Sequence, residues 1–288
     1  MNTKPYTIAI EGIDGSGKST CFNEIVKTIQ DYYDQTSIIK CPNYHEIYKD
    51  TPLSEISKIL SELSRLADEF KDFTFKTIFQ YLQMTLYGSI EKFIIKNFKP
   101  EIIISERHAI TSTIAYGHFY IKKIKKTTSY CSKNDLQKKV HKYFEKIGEK
   151  NFSKIKEWLA SEQSGFNNKM SFYELNNYLS NLFWNKDQLI DKLSKEYRTS
   201  LPDVTIVIDV DTTVAYQRIN QRNQKETLEL HEEIHQLKKI REEYYEIMKH
   251  IKTKVPQKKI YLTNNDNLKK ILTTIIRSNY YEKSKKII

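Results

Sequence analysis

Residues 12–20 constrain the fold more than any other part of this 288-residue chain. They read Gly-Ile-Asp-Gly-Ser-Gly-Lys-Ser-Thr, which fits the pattern G-x-x-x-x-G-K-[ST], and they follow an apolar run at residues 6–10. Glycines let backbone N–H groups turn inward around phosphates, and the helix that follows points its positive dipole end at them. The segment therefore predicts a phosphate-binding loop between a buried strand and a helix.

This loop supplies candidate residues for binding a nucleoside triphosphate. Lys18 is placed to reach the β- and γ-phosphates, and the Ser19 hydroxyl is placed to ligate Mg²⁺. The predicted triphosphate-binding residues are Gly12, Asp14, Gly15, Ser16, Gly17, Lys18, Ser19 and Thr20.

Composition argues against several classes of protein. Cys21, Cys41 and Cys131 are odd in number and lack metal-ligand spacing, which disfavours a disulfide framework and a structural zinc site. No apolar run approaches the ~20 residues of a membrane span. The N-terminus enters a strand within six residues, which leaves no room for a signal peptide. We expect a soluble, cytoplasmic protein without a membrane partner.

The net charge of +11 is concentrated in one segment. Residues 121–160 carry twelve lysines against four carboxylates. Such a patch can bind nucleic acid, but it lacks the interleaved aromatic residues of a nucleic-acid module. A solvated surface is the favoured interpretation, with nucleic-acid binding through this segment as the alternative.

Five short apolar segments alternate with helical patterns. The predicted strands are residues 6–10, 37–40, 101–105, 204–210 and 259–262, and the predicted helices are residues 19–33, 53–66, 73–95, 212–221, 228–251 and 267–279. This alternation predicts an α/β fold, a doubly wound five-stranded parallel sheet of the P-loop NTPase type with flanking helices. Residues 118–195 contain no buried strand and predict a helical insertion within a single domain, 1–288.

Three segments together resemble the thymidylate kinases. They are residues 8–20, the run Ser105-Glu106-Arg107-His108 with Ala115-Tyr116-Gly117 downstream, and residues 202–222. They occur in the family's order and cover about two-thirds of the chain, leaving the insertion unmatched. The resemblance implies a phosphotransferase of dTTP biosynthesis that moves the γ-phosphoryl group of ATP to dTMP with Mg²⁺. It also implies a homodimer.

The resemblance assigns roles to matching residues. Arg107 clamps the acceptor phosphate with its planar fork, and Glu106 holds Mg²⁺, through water where it does not bind directly. Asp14 faces the acceptor sugar. Arg218 and Arg222 lie four residues apart, on one helix face, in a lid that supplies positive charge to the moving phosphoryl group.

The lid is predicted at residues 216–230. Lys18, Arg107, Arg218 and Arg222 form the predicted catalytic set. Which of the two lid arginines acts stays open at this point.

The acceptor is less certain than the donor, because the family's arginines after the second strand and before the third are absent. Residues 79–83 and 214–222 are similar to those of deoxynucleoside kinases, in which a glutamine reads the base edge. The predicted substrate-binding residues are Asp14, Phe79, Gln83, Arg107 and Tyr116, with Gln80 as a further candidate.

A nucleoside hydroxyl needs a general base, and residues 41–44 contain no carboxylate. A deoxynucleoside monophosphate, dTMP first, is therefore the favoured acceptor. A deoxynucleoside kinase is the alternative. A second alternative is a nucleotide-binding protein without turnover, whose lysine-rich segment docks a partner.

Overall fold

The computed structural model describes residues 4–127, 133–161, 171–183, 186–222, 229–264 and 267–284. Five parallel strands form one sheet in the order β2-β3-β1-β4-β5. The strands are β1 Tyr6–Glu11, β2 Thr36–Lys40, β3 Ile102–Glu106, β4 Val204–Ile208 and β5 Lys259–Thr263. The predicted parallel sheet is confirmed, and this order with the loop between β1 and the first helix is a P-loop kinase fold.

Helices cover both faces of the sheet. They are α1 Lys18–Gln30, α2 Pro52–Glu69, α3 Phe73–Thr85, α4 Tyr87–Phe98, α5 Ala109–Thr127, α6 Lys133–Ile147, α7 Glu149–Ala160, α8 Phe172–Leu182, α9 Lys186–Tyr197, α10 Thr212–Arg222, α11 Ile234–Lys254 and α12 Leu268–Ser284. Within the described ranges, no helix is long and apolar enough to cross a membrane.

The strands divide their side chains between two apolar cores. Ile8, Ile10 and Ile104 face α1 and α12, whereas Ile103 and Val207 face the larger core on the other side. This alternation follows from the two-residue period of a strand. Since both faces are covered, the central strands are mostly apolar, with Thr7, Ser105 and Thr205 among their buried polar residues.

The predicted insertion does not begin where the sequence pattern places it. Residue 118 lies inside α5, which continues to Thr127 and packs against α3 and α11. The added helices in the described ranges are therefore α6 to α9, which extend the larger core. Of the cysteines, Cys21 and Cys41 are buried and are not joined by a disulfide, and Cys131 lies outside the described residues.

Two predicted helices differ from the structure at their ends. The pattern at 73–95 is divided at Leu86 into α3 and α4, and the pattern at 228–251 becomes helical only at Ile234. In the first case Thr85 donates its hydroxyl to the Leu82 carbonyl, a local bond that competes with regular helix.

Gly88, at the start of α4, allows the carbonyl oxygens of Tyr197 and Arg198 to approach the helix closely. A Cβ atom at this position would overlap the Tyr197 oxygen. The end of α9 is docked against the sheet domain at this point. The absence of a side chain on Gly88 is therefore part of how the helical insertion packs.

We expect Gly88→Ala to lower the free energy of unfolding by about 2 kcal/mol, because overpacking forces the backbone of α9 to shift. Urea unfolding followed by circular dichroism measures the change. Lys92→Ala, an exposed position on the same helix, is the control and should change stability by less than about 0.5 kcal/mol. Equal stability of the two variants would contradict the close packing.

Candidate active site

The phosphate-binding loop joins β1 to α1 through glycines in backbone conformations that other residues avoid. Gly12, Gly15 and Gly17 have φ angles of +139°, +74° and +92°. A Cβ atom on Gly15 would also overlap the carbonyl oxygen of Ala215. The first turn of α1 holds no acidic residue, and Gly17 caps it without a side chain. The N–H groups of this helix end are therefore available to an anion.

Lys18 lies in the floor of this loop. Its side chain is 6% exposed, and Nζ donates to the Ile13 carbonyl at 2.7 Å. Burial, followed by the nearby Arg107 charge, lowers the pKa of Lys18 to about 8. The phosphates of a bound triphosphate would supply negative charge here and favour the protonated amine.

Ser19 and Glu106 lie side by side at the ends of α1 and β3. The Ser19 hydroxyl donates to Glu106 Oε1 at 2.5 Å. Hydroxyl and carboxylate oxygens are ligands that Mg²⁺ prefers, and Mg²⁺ in phosphate sites uses one or two protein ligands beside the phosphate oxygens. No cluster of three or more His, Cys, Asp or Glu that could hold a metal exists in the described part of the chain. The pair fits a magnesium ion shared with a nucleotide.

Asp14 is the meeting point of four elements. Its Oδ1 accepts from Arg107 Nη2 and lies 3.5 Å from Lys18 Nζ. Its Oδ2 accepts from the Tyr116 hydroxyl at 2.9 Å and from His231 Nε2 at 2.6 Å. Burial raises the pKa of Asp14, but the Arg107 and Lys18 charges outweigh it and hold that pKa well below its usual range. Asp14 is a buried carboxylate that stays ionised.

Arg107 is held at the end of β3 by its backbone as well as its charge. Its φ is +64°, which non-glycine residues rarely adopt, and its N–H donates to the Ile10 carbonyl at 2.9 Å. The guanidinium lies 5.1 Å from the centre of the Tyr116 ring. Arg107 therefore reaches the cleft in a fixed direction.

Glu11 supports this arrangement from beneath. It is fully buried at the end of β1 and accepts from the His108 N–H at 2.8 Å, Ser112 Oγ at 3.1 Å and the Tyr244 hydroxyl at 2.9 Å, together with the Thr111 hydroxyl. Burial raises the pKa of Glu11 despite these bonds. Its hydrogen bonds fix the start of α5 and the middle of α11 to the sheet.

His108, beside Arg107 in the sequence, has a structural role. Its ring is 1% exposed and packs 4.6 Å from the Tyr87 ring centre. Burial lowers the pKa of His108 to about 3, so the ring is neutral. It supports the strand end and does not enter the cleft.

Asp14, Lys18, Ser19, Glu106 and Arg107 border a cleft of about 1070 Å³, which is formed by the phosphate loop, the ends of β2 and β3, helices α2, α3 and α10, and residues 229 and 231. From α3 the cleft receives Lys76, Gln80 and Gln83. Phe79 is turned into the core, with its ring 5.4 Å from Phe75 and 5.2 Å from Tyr143. Of the three α3 residues predicted to bind substrate, the structure therefore brings Gln80 and Gln83 to the cleft, but not Phe79.

The two predicted lid arginines differ in their contacts. Arg218 Nη1 lies 3.3 Å from the Ser16 carbonyl oxygen and 3.4 Å from that of Gly15, at the phosphate loop. Arg222 Nη2 donates to Glu232 Oε1 at 2.8 Å. Residues 223–228 of the predicted lid lie outside the described residues.

Four further residues of the site have no motif in the sequence. The Lys76 side chain, 2% exposed, donates to Asp68 and to Glu229 Oε2 at 2.8 Å. Burial lowers the pKa of Lys76, but the charges of Glu229 and Asp68 outweigh it and raise that pKa above its usual value. His231 then continues this chain of charges to Asp14. These contacts join residues on different elements, from 8 to 217 positions apart, which explains why no local pattern predicts them.

One family model matches part of the chain, outside the phosphate loop and the end of β3. Residues 178–267 match the thymidylate kinase family model. The match includes α10 with Arg218 and Arg222, β4, and residues 229–232. Together with the phosphate loop and the sheet order, it supports a nucleotide kinase, a phosphotransferase that binds ATP.

Solved structures give more distant likenesses. A thymidylate kinase from Ehrlichia chaffeensis is 18% identical, with a TM-score of 0.42 over 95% of this chain and 99% of its own. A deoxyadenosine kinase from M. mycoides, solved with dCMP and a flexible dCDP, is 15% identical, with a TM-score of 0.46 over 96% and 99%. At these scores neither one informs the choice of substrate. No protein of curated function matches the sequence significantly.

We expect Lys76→Met to lower the free energy of unfolding by about 3 kcal/mol, because it leaves the buried Asp68 carboxylate without its cation. Thermal or urea unfolding measures the loss. Lys122→Met is the matched control: Lys122 is 71% exposed and pairs with Glu243 at 2.6 Å, so its loss should cost less than about 1 kcal/mol. A similar loss in both variants would contradict a structural role for the buried pair.

Proposed function

We propose that this protein transfers the γ-phosphoryl group of ATP to a deoxynucleoside monophosphate, with dTMP as the preferred acceptor. The observation that carries the proposal is the convergence of Arg107 and Lys18 on one oxygen of Asp14, Oδ1, in a single cleft. A planar guanidinium suits a phosphate acceptor, and the lysine suits the phosphates of the donor. The two phosphate groups would thus meet between these cations.

The charges around the cleft support two phosphorylated ligands. Seven lysines and arginines and five carboxylates line it among the described residues. Four of the carboxylates bond a lysine or arginine side chain, and the fifth, Glu106, bonds Ser19. None of these five stands ready as a general base for a nucleoside hydroxyl, whereas the oxygen of a phosphate acceptor needs no such base.

The transfer follows from this geometry. An oxygen of the acceptor phosphate attacks the γ-phosphorus of ATP while the bond to the bridging oxygen breaks, and ADP leaves with the electron pair. Lys18 and Arg107 neutralise charge on the donor and acceptor phosphates. A magnesium ion at Ser19 and Glu106 would neutralise the β- and γ-phosphate oxygens. Arg218, at the phosphate loop, is the lid arginine that we place on the moving group.

Support for a thymine base comes from α3. Gln80 and Gln83 both line the cleft, and an amide carries one donor group and one acceptor. These match the O4 acceptor and the N3–H donor on the edge of thymine. The amide alone does not choose between nucleoside and monophosphate; Arg107 and the paired carboxylates favour the monophosphate.

An acceptor panel tests the proposal. ADP release is measured with ATP and Mg²⁺ against dTMP, the other deoxynucleoside monophosphates, thymidine and deoxyadenosine. We expect the highest kcat/KM with dTMP, about 10²-fold above thymidine, because a bidentate charged contact to phosphate is lost with the nucleoside. Lys18→Ala is the inactive control.

Other outcomes of the panel identify the alternatives. Transfer to nucleosides alone would make the protein a deoxynucleoside kinase. If no acceptor is phosphorylated while Lys18→Ala still weakens ATP binding, the protein binds nucleotide without turnover, and the proposed transfer is wrong.

We expect Arg218→Ala to lower kcat about 10³-fold with little change in ATP affinity, since an arginine on the moving phosphoryl group acts mainly in the transition state. Arg222→Ala should lower kcat less than about tenfold, because its guanidinium is bonded to Glu232. Steady-state kinetics and ATP binding distinguish the two variants. A larger loss in Arg222→Ala would assign the lid charge to that residue.

A further inference from the structure

Residues 229–232 form a short segment between α10 and α11 that is bonded to three other parts of the site. The Leu230 N–H donates to Asp68 Oδ1 at 3.1 Å, Glu229 Oε2 accepts from Lys76 at 2.8 Å, and His231 Nε2 bonds Asp14 at 2.6 Å. His231 is only 2% exposed. These bonds hold the segment in the wall of the cleft.

Both ring nitrogens of His231 have partners. Nε2 lies on Asp14 Oδ2, and Nδ1 lies 2.7 Å from the Tyr120 hydroxyl. The Tyr116 ring meets the imidazole edge-on at 5.1 Å between ring centres. When the imidazole is neutral, Tyr120 donates to Nδ1 and the proton stays on Nε2, facing Asp14. When it is cationic, Nδ1–H donates to the Tyr120 oxygen instead. The N–H bond to Asp14 persists in both states, and only the charge changes.

The charge on His231 determines how far Asp14 neutralises Arg107, and therefore how strongly Arg107 can attract an anionic ligand. Asp14 carries one negative charge, which Arg107 meets at one oxygen and His231 at the other. With a neutral His231, Asp14 offsets the charge of Arg107 and, at the longer distance of 3.5 Å, part of that of Lys18. With a cationic His231, the pair of cations exceeds the carboxylate, and the surplus faces the cleft where Arg107 lies.

We propose that His231 is a positioning residue of the transfer site, which holds the second oxygen of Asp14 and thereby leaves the Arg107 charge to the acceptor phosphate. This inference rests on the proposed phosphoryl transfer to a monophosphate. His231 acts through Asp14 and Arg107, so its effect belongs to acceptor binding and not to ATP binding.

The surroundings of His231 set the direction of its pH dependence. The titratable and charged groups that face it are Asp14 from the phosphate loop, Tyr116 and Tyr120 from α5, Lys76 from α3, and Glu229 and Glu232 from its own segment. Burial lowers the pKa of His231, but the bond to Asp14 and the charge of Glu229 outweigh it and raise that pKa above its usual value. The positive charge is present below this raised pKa and is lost as pH rises through it. Acceptor binding should weaken in the same direction.

His231→Gln tests the inference, because glutamine keeps an N–H donor without a titratable charge. The acceptor KM and kcat of the wild type and the variant are measured from about pH 5.5 to 9, and their ratio is taken at each pH. The ratio removes the titration of the acceptor phosphate itself, whose second pKa is about 6. We expect the acceptor KM of the variant to be about tenfold higher at acidic pH and to converge on the wild type at alkaline pH, the size of effect that one charge near a phosphate produces.

Two further variants separate positioning from folding. His231→Ala should raise the acceptor KM at every pH, since both the bond and the charge are lost, while the ATP KM is unchanged. His235→Gln is the control, because His235 is 56% exposed and lies on Glu233 at 3.4 Å, away from Asp14. Its kinetics should equal those of the wild type.

Equilibrium binding of dTMP, measured by calorimetry on the same proteins, gives a readout without turnover. A ratio of dissociation constants that does not change with pH, or an equal loss of ATP and dTMP affinity in His231→Gln, would overturn the role of His231 alone. If the wild type binds no deoxynucleoside monophosphate at all, both proposals are wrong. If it binds dTMP with the expected pH-dependent ratio but transfers no phosphoryl group, only the proposed function fails.

Discussion

The ionised carboxylate of Asp14 is the interaction on which the rest of the site depends. A buried carboxylate is stable only when donors and cations surround it, and here they come from the phosphate loop, β3, α5 and the segment before α11. Each of these elements ends at the same edge of the sheet because the strands are parallel. Asp14 thereby fixes the distance between the phosphate-binding loop and Arg107.

The same network changes how Asp14 itself is understood. The family resemblance implies that Asp14 faces the sugar of the acceptor, and that role stays a prediction. In the structure both of its oxygens are already bonded, Oδ1 to cations and Oδ2 to Tyr116 and His231. A sugar hydroxyl would have to share or displace one of these donors. The main effect of Asp14 in this state is to orient Arg107, which is a different contribution from direct recognition.

The parts that could be predicted from sequence are those that local patterns determine. The five strands and the phosphate loop follow from apolar runs and from glycines at fixed spacing, and Arg107 follows from its place after a strand. The face of α3 was predicted less well, because Phe79 and Gln83 both fit a functional motif while helix geometry brings Lys76, Gln80 and Gln83 to one side. Likewise, the need for glycine at position 88 depends on the Tyr197 carbonyl, which lies more than a hundred residues away in the sequence.

The contrast between donor and acceptor halves has a physical cause. The phosphates of a triphosphate are bound mainly by backbone N–H groups and a helix N-terminus, which one continuous segment can supply. The predicted donor site can therefore be recognised from nine consecutive residues, 12–20. An acceptor is held by side chains that must converge from several elements, and their pairing is set by the fold. Lys76 with Asp68 and Glu229, and His231 with Asp14, join positions from 8 to 217 residues apart. Substitutions in such pairs can change which acceptor binds without changing the phosphate loop. Chains that share the same loop can therefore differ in acceptor specificity through this half of the cleft.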